Sequence, residues 1–568
     1  MSTVVSIGNQ DFESIRKSES FYIDKTVFIK EWWENNDSVT LITRPRRFGK
    51  TLNLSMLQCF FSVKYKDRAD LFKNLSIWKE KKYRDLQGTY PVIFLSFASV
   101  KGITYESARE SILLLLEELY QQHSFLIDEG ILNQKETEYF EKAGIGMSDA
   151  EAAMAIPKLA YHLFQYYKKK VIILLDEYDT PLQEAYIHNY WEQMTFFVRG
   201  IFNSAFKTNS SMERGLMTGI TRVSKESIFS DLNNLTVVTT TSEKYKEMFG
   251  FTEEEVFQAL EAAGLGKQKQ KVKEWYDGFT FGSSKDIYNP WSITNFLDEK
   301  KIKLYWANTS SNALISKLLR EGSKEIKIDM EALITGHHVF TVLDEQIVFQ
   351  ELDDNEQAIW SLLLASGYLK VERSPEDETD DNQQYELSIT NKEVEKMFRN
   401  MIQSWFKKTS GSNSDFIKAL LMNDVEYMNQ FMNEISIKMF SSFDIGRHPS
   451  QKMEPERFYH GFVLGLIVEL ADRYYISSNR ESGFGRYDVM LEPINKSDRA
   501  FIFEFKVYNP AKDKDLKAAA ENALSQIEQR KYSNVLIERG IAEEQIYCYG
   551  FAFEGKKVLI LGKSNLLY

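Results

Sequence analysis

The sequence predicts an α/β fold with a parallel sheet in its N-terminal half and a further α/β domain near its C-terminus. Residues 171–175 form a continuous apolar run, which is typical of a strand buried on both faces of a parallel sheet. Strand-like runs alternate with helical patterns, which predicts helices on both faces of that sheet. Residues 500–507 have a period-two pattern, which predicts a strand of the C-terminal domain.

A turn between an apolar run and a helical run is the feature around which the N-terminal half is organised. Residues 44–51 read Arg-Pro-Arg-Arg-Phe-Gly-Lys-Thr and lie between the apolar run 39–42 and the helical run 52–57. A strand, a tight turn, Gly-Lys-Thr and a helix form the context that a phosphate-binding loop requires. The N–H groups of the loop and of the helix N-terminus are expected to face phosphates.

The polar residues of this loop have expected roles. Lys50 is expected to reach the β- and γ-phosphates of ATP, and the Thr51 hydroxyl is expected to hold Mg²⁺. Arg44 stands where the usual pattern has its first glycine, so the turn departs from the glycine-rich form. The other loop residues that we expect to bind the nucleotide are Arg46, Arg47 and Gly49.

An acidic pair closes the predicted strand 171–175. Asp176 and Glu177 follow the strand directly. In phosphate-loop ATPases an acid at this place holds the Mg²⁺ shell, and a second carboxylate polarises the attacking water. We therefore expect Asp176 to serve the metal and Glu177 to be catalytic. An ordinary helix start is the alternative interpretation of residues 49–51, and the acidic pair disfavours it.

The rest of the N-terminal half continues the alternation of strands and helices. Asp24 is expected to cap the helix that contains Trp32 and Trp33, and a contact of Lys25 with the nucleotide is the less favoured alternative. Residues 128–150 are expected to cross the surface. The other predicted elements are a strand at 91–97, helices at 105–122, 152–167 and 191–208, and a strand at 215–222.

The predicted strand 215–222 has polar residues towards its C-terminal end. The candidates for sensing a γ-phosphate are Thr218, Thr221 and Arg222, since an arginine suits the charge of a transition-state phosphate. The alternative is that the threonines pack within the strand and that Arg222 pairs with a surface acid. Both interpretations of Arg222 fit the sequence equally well, and we include it among the predicted nucleotide-binding residues.

The middle of the chain is predicted to join two domains. Residues 252–276 fit a small helical lid, and the turn-rich segment 275–292 is expected to be a packed loop. From residue 354 onward, a helix, two short strands and a further helix suggest a winged-helix module. Its wing, residues 376–381, is acidic, which favours a domain connector over a DNA contact. The predicted domains are 1–285, 286–406 and 407–568.

A second group of candidate catalytic residues lies in the C-terminal domain. Glu504 and Lys506 share one face of the predicted strand 500–507, and Asp488 belongs to the preceding strand of a predicted hairpin. Two carboxylates near a lysine can hold Mg²⁺ and position a water for attack on a phosphodiester. Lys506 would orient that water and stabilise the developing charge. The alternative is a cross-strand ion pair without catalytic function.

Composition excludes several classes of protein. The 568 residues allow three or four domains, and 43% hydrophobic with 27% charged residues is ordinary for globular domains. A net charge of -12 argues against a general DNA coat. Two distant cysteines fit a reducing compartment. No run approaches a membrane span and no targeting segment is evident at the start, so the sequence predicts a cytoplasmic protein without membrane contact.

Several short motifs make the chain similar to a known family. They lie at residues 22–26, 44–51, 174–179, 219–222, 275–279, 288–291, 485–488 and 504–506. With these motifs the chain resembles, over nearly its whole length, the bacterial AAA-ATPase-like proteins that carry a C-terminal PD-(D/E)XK nuclease-like domain. The resemblance implies a P-loop ATPase with a parallel sheet and helical lid, followed by a restriction-endonuclease-like α/β domain. That family tolerates a non-glycine residue at the position of Arg44.

The same resemblance implies site residues and cofactors. The nucleotide and Mg²⁺ residues would be Lys50, Thr51, Asp176 and Glu177. The nuclease residues would be Asp488, Glu504 and Lys506, with Glu469 as a further metal ligand from the first helix and Gln526 as a supporting residue. ATP and Mg²⁺ are the cofactors implied, and DNA is the nucleic acid expected at the C-terminal domain.

Three functional hypotheses follow from the sequence. In the first, ATP hydrolysis controls a Mg²⁺-dependent nuclease that acts on DNA. In the second, the chain is a regulatory, signal-transducing ATPase whose nuclease-like domain only binds nucleic acid or a partner protein. A scaffold with degenerate sites is the third, and it is disfavoured because both groups of site residues are chemically complete. A homo-oligomer and a protein partner are both compatible with the sequence.

Overall fold

In a computed structural model, the chain forms two compact units. Unit 1 contains Met1–Glu321 and Thr335–Met397, and unit 2 contains Gly322–Ile334 and Phe398–Tyr568. The structure describes residues 5–221, 229, 232–307, 315–316, 318–319, 324–334, 336–343, 358–374, 384–407, 413–443, 463, 466–467, 470–478, 481–482, 485–486, 488–510, 512–554 and 557–564. The three-domain division made from the sequence stays a prediction.

A sheet of five parallel strands forms the centre of unit 1, as the sequence predicts. Its strands lie in the order β2-β3-β4-β1-β5. Because β3, β4 and β1 are neighbours and parallel, the segments that follow them meet at one edge of the sheet. The strands are β1 Val39–Thr43, β2 Val92–Ser96, β3 Val171–Asp176, β4 Met212–Gly219 and β5 Leu235–Val238.

Helices cover both faces of this sheet. Along β3, Ile173 and Leu175 pack into one apolar core, while Ile172 and Leu174 pack into another, which explains the uninterrupted apolar run. The helices before the lid are α1 Phe12–Lys17, α2 Val27–Asn35, α3 Lys50–Phe61, α4 Lys81–Leu86, α5 Tyr105–Gln121, α6 Phe125–Asp128, α7 Gln134–Glu141, α8 Asp149–Ala153, α9 Ala155–Tyr167, α10 Thr180–Ile187 and α11 Trp191–Phe206. Short 3-10 helices lie at Val63–Tyr65, Ala69–Phe72 and Ser76–Lys79.

The predicted helical lid is followed by a small sheet where the sequence suggested a loop. Strands β6, β8 and β7 pair antiparallel in the order β6-β8-β7. Phe279 and Phe281 of β7 pack against Phe48, with ring centroids 4.7 and 5.3 Å away, so these aromatic residues fasten the hairpin to the phosphate loop. The elements are β6 Phe251–Thr252, α12 Glu253–Ala262, α13 Lys269–Tyr276, β7 Phe279–Phe281, β8 Ser284–Tyr288 and α14 Pro290–Glu299, with a 3-10 turn at Gly266–Gln268.

A three-stranded antiparallel sheet and helices form the winged-helix-like region. Its strand order is β10-β11-β9. A Cβ added to Gly278 (φ +110°) would clash with the carbonyl oxygen of Thr390, and one added to Gly367 would lie 2.8 Å from Pro45. This region therefore packs closely on the lid and the phosphate loop. The acidic wing 376–381 lies outside the described residues. The elements are β9 Val339–Thr341, α16 Ala358–Ala365, β10 Leu369–Arg373, β11 Tyr385–Ile389 and α17 Lys392–Lys407.

A buried carboxylate joins α17 to α14 and to the segment after it. Glu393 is 1% exposed and accepts hydrogen bonds from Ser292 Oγ (2.7 Å) and from the backbone N–H groups of Trp306 (2.7 Å) and Ala307 (3.4 Å). Burial raises the pKa of Glu393 to about 7, although these donors oppose the shift. The folded state therefore favours the protonated acid at a pH at which the unfolded chain carries a charge.

This carboxylate predicts a pH dependence of stability. The folded pKa is raised, so the stabilisation is complete below the unfolded pKa of 4.5 and is lost as the pH rises through about 7. This difference in pKa corresponds to a contribution to the free energy of unfolding on the order of 3 kcal/mol. We expect Glu393→Gln, which keeps an acceptor for the N–H groups, to flatten the decline in thermal stability between pH 5 and pH 8. Parallel declines in the variant and in the wild type would contradict this.

Unit 2 contains a mixed five-stranded sheet. Its order is β12-β15-β16-β17-β18, and all neighbours are antiparallel except β16 and β17. Phe501, Phe503 and Phe505 pack into one core, and Ile502 packs into another, as the period of two predicts. The strands are β12 Tyr474–Ser478, β15 Val489–Pro493, β16 Ala500–Val507, β17 Ile546–Glu554 and β18 Lys557–Ser564, and the separate pair β13 Glu481–Ser482 and β14 Gly485–Arg486 lies between β12 and β15 in the chain.

Helices α20 and α21 lie between β16 and β17 in the chain and complete this α/β unit. Glu469, which the resemblance implies as a metal ligand, lies outside the described residues. No helix in the described ranges combines the length and apolar character that a membrane crossing requires. The helices of unit 2 are α15 Lys324–Ile334, α18 Asn413–Met422, α19 Val425–Phe443, α20 Leu516–Gln529 and α21 Ser533–Glu538, with a 3-10 turn at Glu543–Gln545.

Candidate functional sites

The phosphate loop connects β1 to α3 at the carboxyl edge of the parallel sheet. Gly49 has φ +79° and is the N-cap residue of α3, which begins at Lys50. Arg47 also has a positive φ, +67°. The backbone N–H of Arg44 donates to the carbonyl of Gly219 at the end of β4 (3.1 Å). The loop is thus anchored to the neighbouring strand, and the N-terminus of α3 is available to an anion.

The side chain of Arg44 explains why the loop needs no glycine at this position. The guanidinium is fully buried and lies 4.6 Å from the ring centroid of Phe281. Its Nη1 donates to the carbonyls of Thr43 (2.8 Å) and Thr239 (2.6 Å). Burial lowers the pKa of Arg44 to about 9. The side chain therefore packs against the lid hairpin as part of the loop's support, and Arg44 does not have a positive φ.

Thr51 and Asp176 are brought into direct contact. The Thr51 hydroxyl donates to Asp176 Oδ2 (2.7 Å), and the Thr218 hydroxyl donates to Asp176 Oδ1 (2.6 Å). Burial raises the pKa of Asp176, and the two hydroxyl donors oppose that shift. The hydrogen bonds link the start of α3 to the ends of β3 and β4. Hydroxyl and carboxylate oxygens in this arrangement are suitable ligands for Mg²⁺ or for its water shell.

Lys50 is buried within the phosphate loop. Its Nζ donates to the carbonyls of Arg44 (2.8 Å) and Pro45 (2.9 Å). Burial lowers the pKa of Lys50, while the nearby carboxylates of Glu177, Asp179 and Asp176 raise it. The ammonium is therefore near three acids. It is hydrogen-bonded to two carbonyl groups, and phosphate oxygens can replace these groups as acceptors.

Glu177 and Asp179 follow β3 and point to different partners. Glu177 has a positive φ of +50°, and its carboxylate accepts a hydrogen bond from Thr180 Oγ1 (3.2 Å). Asp179 is buried, and its Oδ2 accepts from the N–H groups of Ile220 (2.9 Å) and Thr221 (3.0 Å). Burial raises the pKa of Asp179. The sequence pattern did not predict a role for Asp179, although its position two residues after Glu177 is a usable signal.

The third candidate group, at the end of β4, lies only partly within the residues that the structure describes. Thr218 contacts Asp176, and the Thr221 hydroxyl donates to Asp179 Oδ2 (3.2 Å). Arg222 lies outside the described residues. Both threonines therefore position acids of the β3 segment, which is a more specific arrangement than packing within a strand.

Residues far along the chain hold the loop at Arg46. The Arg46 carbonyl accepts hydrogen bonds from the indole Nε1 of Trp306 (3.1 Å) and from Asn289 Nδ2 (3.3 Å). The Arg46 guanidinium donates to Gln183 Oε1 (3.2 Å), and that of Arg47 lies 4.3 Å from the ring centroid of Trp291. Sequence reasoning missed Asn289 and Trp306 as residues of this site.

The first motif of the chain supports the lid. Lys25 Nζ forms a partly buried ion pair with Glu255 of α12 (2.7 Å), so Lys25 contacts the lid. Thr26 is the N-cap residue of α2, and Asp24 accepts hydrogen bonds from the Thr26 N–H (2.9 Å) and hydroxyl (2.6 Å). The prediction that Asp24 caps this helix was wrong by two positions, because Asp24 stabilises the turn before it.

The C-terminal candidates meet at the ends of β15 and β16. Asp488 Oδ2 accepts a hydrogen bond from the backbone N–H of Phe505 (2.8 Å), which places it beside Glu504. Gln526 of α20 donates to Glu504 Oε1, and Lys506 Nζ lies 3.7 Å from that same oxygen. Glu504 is 2% exposed and the Lys506 side chain 32% exposed. Two acids, a lysine and a glutamine are therefore assembled here, while Glu469 lies outside the described residues.

Family models match two separate parts of the chain. Residues 6–229 match the AAA-ATPase-like model, described as a predicted AAA-ATPase. Residues 454–562 match a model of the PD-(D/E)XK nuclease superfamily. The first range contains the phosphate loop and the segment after β3, and the second contains Asp488, Glu504 and Lys506. The family predictions made from the sequence are confirmed.

The individual matches include one protein sequence and one solved structure. A protein of Azotobacter chroococcum mcd 1, described as an uncharacterized protein in the vnfD 5' region, is 23% identical over 572 residues, covering 98% of this chain and 97% of that protein. The solved structure of PCH-2 from C. elegans is 12% identical, covering 62% of this chain and 65% of that chain, less than two thirds of its length. Its TM-score of 0.19 is too low to indicate a shared fold.

Proposed function

We propose that this chain, which joins an AAA-ATPase-like domain to a PD-(D/E)XK nuclease superfamily domain, hydrolyses ATP and uses it to control Mg²⁺-dependent cleavage of DNA. The observation that carries the proposal is that the chain brings together two separate groups of polar side chains whose chemistry suits phosphate substrates. One contains the Thr51–Asp176 hydrogen bond of 2.7 Å, and the other contains Asp488, Glu504 and Lys506.

The phosphate loop would bind ATP through its backbone and through Lys50. Phosphate oxygens would replace the carbonyls of Arg44 and Pro45 as acceptors for the Lys50 ammonium. Mg²⁺, held by Thr51 and by Asp176 through its water shell, supplies neutralisation of phosphate charge when it is bound. Thr218 would keep the Asp176 carboxylate oriented towards Thr51 through its hydrogen bond of 2.6 Å.

Glu177 would position and polarise the attacking water. It directly follows the strand residue Asp176, and its positive φ turns the chain away from the strand direction. Thr180 holds one of its oxygens at 3.2 Å, which limits the orientations of the carboxylate. Asp179 would support this segment by accepting hydrogen bonds from the backbone N–H groups of residues 220 and 221.

In the nuclease-like domain, Asp488 and Glu504 would hold Mg²⁺, whose role when bound is to polarise the scissile phosphate and lower the pKa of water. Gln526 would fix the rotamer of Glu504, and the N–H of Phe505 would fix Asp488. Lys506 is more exposed than Glu504, so its ammonium can contact a phosphodiester while it orients the attacking water.

A second candidate function is regulation without cleavage. The observation that favours it is the 3.7 Å approach of Lys506 to Glu504, which is also the geometry of a structural ion pair. In this case ATP hydrolysis would change the conformation of the chain, and the nuclease-like domain would only bind nucleic acid or a partner protein.

The experiment that tests the proposal is a cleavage assay with the full chain. Plasmid and single-stranded DNA are incubated with Mg²⁺ or Mn²⁺, with and without ATP, while ATP hydrolysis is followed in the same samples. We expect metal-dependent cleavage whose rate changes when ATP is added. ATP hydrolysis without cleavage of either DNA would contradict the nuclease part and favour the regulatory function. Cleavage with no response to ATP would contradict the coupling.

A further inference from the structure

Three carboxylates meet where the helical lid joins the small sheet β6-β8-β7. Glu253 is the first residue of α12, Asp277 follows the last residue of α13, and Asp286 lies in β8. One carboxylate oxygen of each residue lies within 4.8 Å of those of the other two. Three elements that are separate in the chain therefore each contribute one carboxylate to the same cluster.

The environment of these acids is short of positive charge. Asp277 is 7% exposed, and its Oδ1 accepts no hydrogen bond from any residue that the structure describes. Lys273 forms ion pairs with all three, directly with Glu253 and at 3.4 and 3.6 Å from Asp286 and Asp277. Burial and the neighbouring Asp286 raise the pKa of Asp277, as expected where one ammonium faces three carboxylates.

The ligand chemistry of this cluster fits a hard cation. Mg²⁺ binds carboxylate oxygens at about 2.1 Å and Ca²⁺ at about 2.4 Å, so oxygens on one such ion lie within roughly 4.8 Å of each other. A divalent ion added to three carboxylates and the Lys273 ammonium gives a neutral site. The Lys273 side chain is 34% exposed and can therefore move outward when a cation enters.

We propose that Glu253, Asp277 and Asp286 form a binding site for a divalent cation of the Mg²⁺ or Ca²⁺ class, and that Lys273 occupies it in the absence of the ion. The cation would fasten α12, α13 and β8 together. The next residue, Gly278, packs against the carbonyl of Thr390, and Phe279 packs against Phe48 of the phosphate loop. The site would thus stabilise the joint between the lid, the winged-helix-like region and the loop.

Calorimetric titration of the full chain with Ca²⁺ alone and with Mg²⁺ alone tests this proposal. Asp286→Asn removes one ligand at a half-exposed position whose φ of +58° asparagine tolerates. Asp298→Asn, an exposed acid of α14, is the matched charge control. We expect Asp286→Asn to bind one equivalent fewer than the wild type, or to bind that equivalent at least about tenfold more weakly, since a carboxylate ligand is lost. Asp298→Asn should match the wild type.

A terbium experiment locates the ion. The Tyr288 hydroxyl lies 3.3 Å from Glu253 Oε2, so Tb³⁺ bound at the cluster should show luminescence sensitised by that ring, and Tyr288→Phe should reduce it. Lys273→Gln removes the competing ammonium and is expected to tighten Ca²⁺ binding. Equal binding by the wild type, Asp286→Asn and Lys273→Gln would overturn the proposal. These outcomes do not depend on ATP hydrolysis or on DNA cleavage.

Discussion

Glu504→Gln is expected to reduce metal-dependent DNA cleavage by at least about 100-fold, because it removes a charged metal ligand from the proposed site. Glutamine has nearly the same volume, and the residue is buried between the strand and Gln526, so the sheet should keep its packing. The measurement is the initial rate of plasmid cleavage at saturating Mn²⁺. The circular dichroism spectrum and thermal midpoint should stay close to those of the wild type.

Glu528→Gln is the matched control for that loss. Glu528 lies on α20, is exposed, and pairs with Lys563 on the protein surface. Its substitution changes the net charge by the same amount and should leave cleavage within about twofold of the wild type, since surface ion pairs contribute little. A nuclease rate in Glu504→Gln that equals this control would show that Glu504 has no part in cleavage.

Lys50→Met should lower ATP hydrolysis by about 10²–10³-fold, because the proposed ammonium contact with the β- and γ-phosphates is lost. Methionine retains the length and apolar stem of the side chain, which matters because Lys50 is buried. The readout is phosphate release per protein at saturating ATP, together with the affinity for a fluorescent ATP analogue. If ATP controls cleavage, the response of DNA cleavage to ATP should disappear in the same variant.

Lys66→Met is the control for this substitution. Lys66 is exposed and lies beyond α3, away from the loop that begins after β1. Hydrolysis by this variant should be close to that of the wild type. Undiminished hydrolysis in Lys50→Met would remove the phosphate loop from the proposed mechanism, whatever the state of the nuclease-like domain.

The strands and the acids that end them could be predicted from the sequence because the signal is local. A strand buried on both faces must be apolar at every position, and the polar residues Asp176 and Glu177 mark where it stops. Glu504 could be found for a related reason. It shares with Lys506 one face of a strand whose other residues are apolar, and that face is fixed by the period of two.

Other parts of the structure depend on partners that the local pattern does not contain. Turn-forming residues between Phe279 and Tyr288 suggested a loop, but these residues pair as strands because Phe48 offers a surface for the aromatic rings. The sequence around Lys25 is compatible with a nucleotide contact, because the partner that Lys25 in fact contacts, Glu255, lies 230 residues further along the chain. The support of the Arg46 carbonyl by Trp306 is of the same kind, with a separation of 260 residues.

The hydrogen bonds to Arg46 have a practical consequence for a fragment that contains the AAA-ATPase-like part alone. A fragment that stops at residue 285, the boundary that the sequence suggests, would lack both Asn289 and Trp306. It would also lack the contact of Gly367 with Pro45. Such a fragment would keep every residue proposed for nucleotide chemistry and lose three of the supports that hold the loop. If such a fragment bound ATP weakly, the cause would be the loss of these supporting contacts. The weak binding would not show that residues 44–51 are unable to bind a nucleotide.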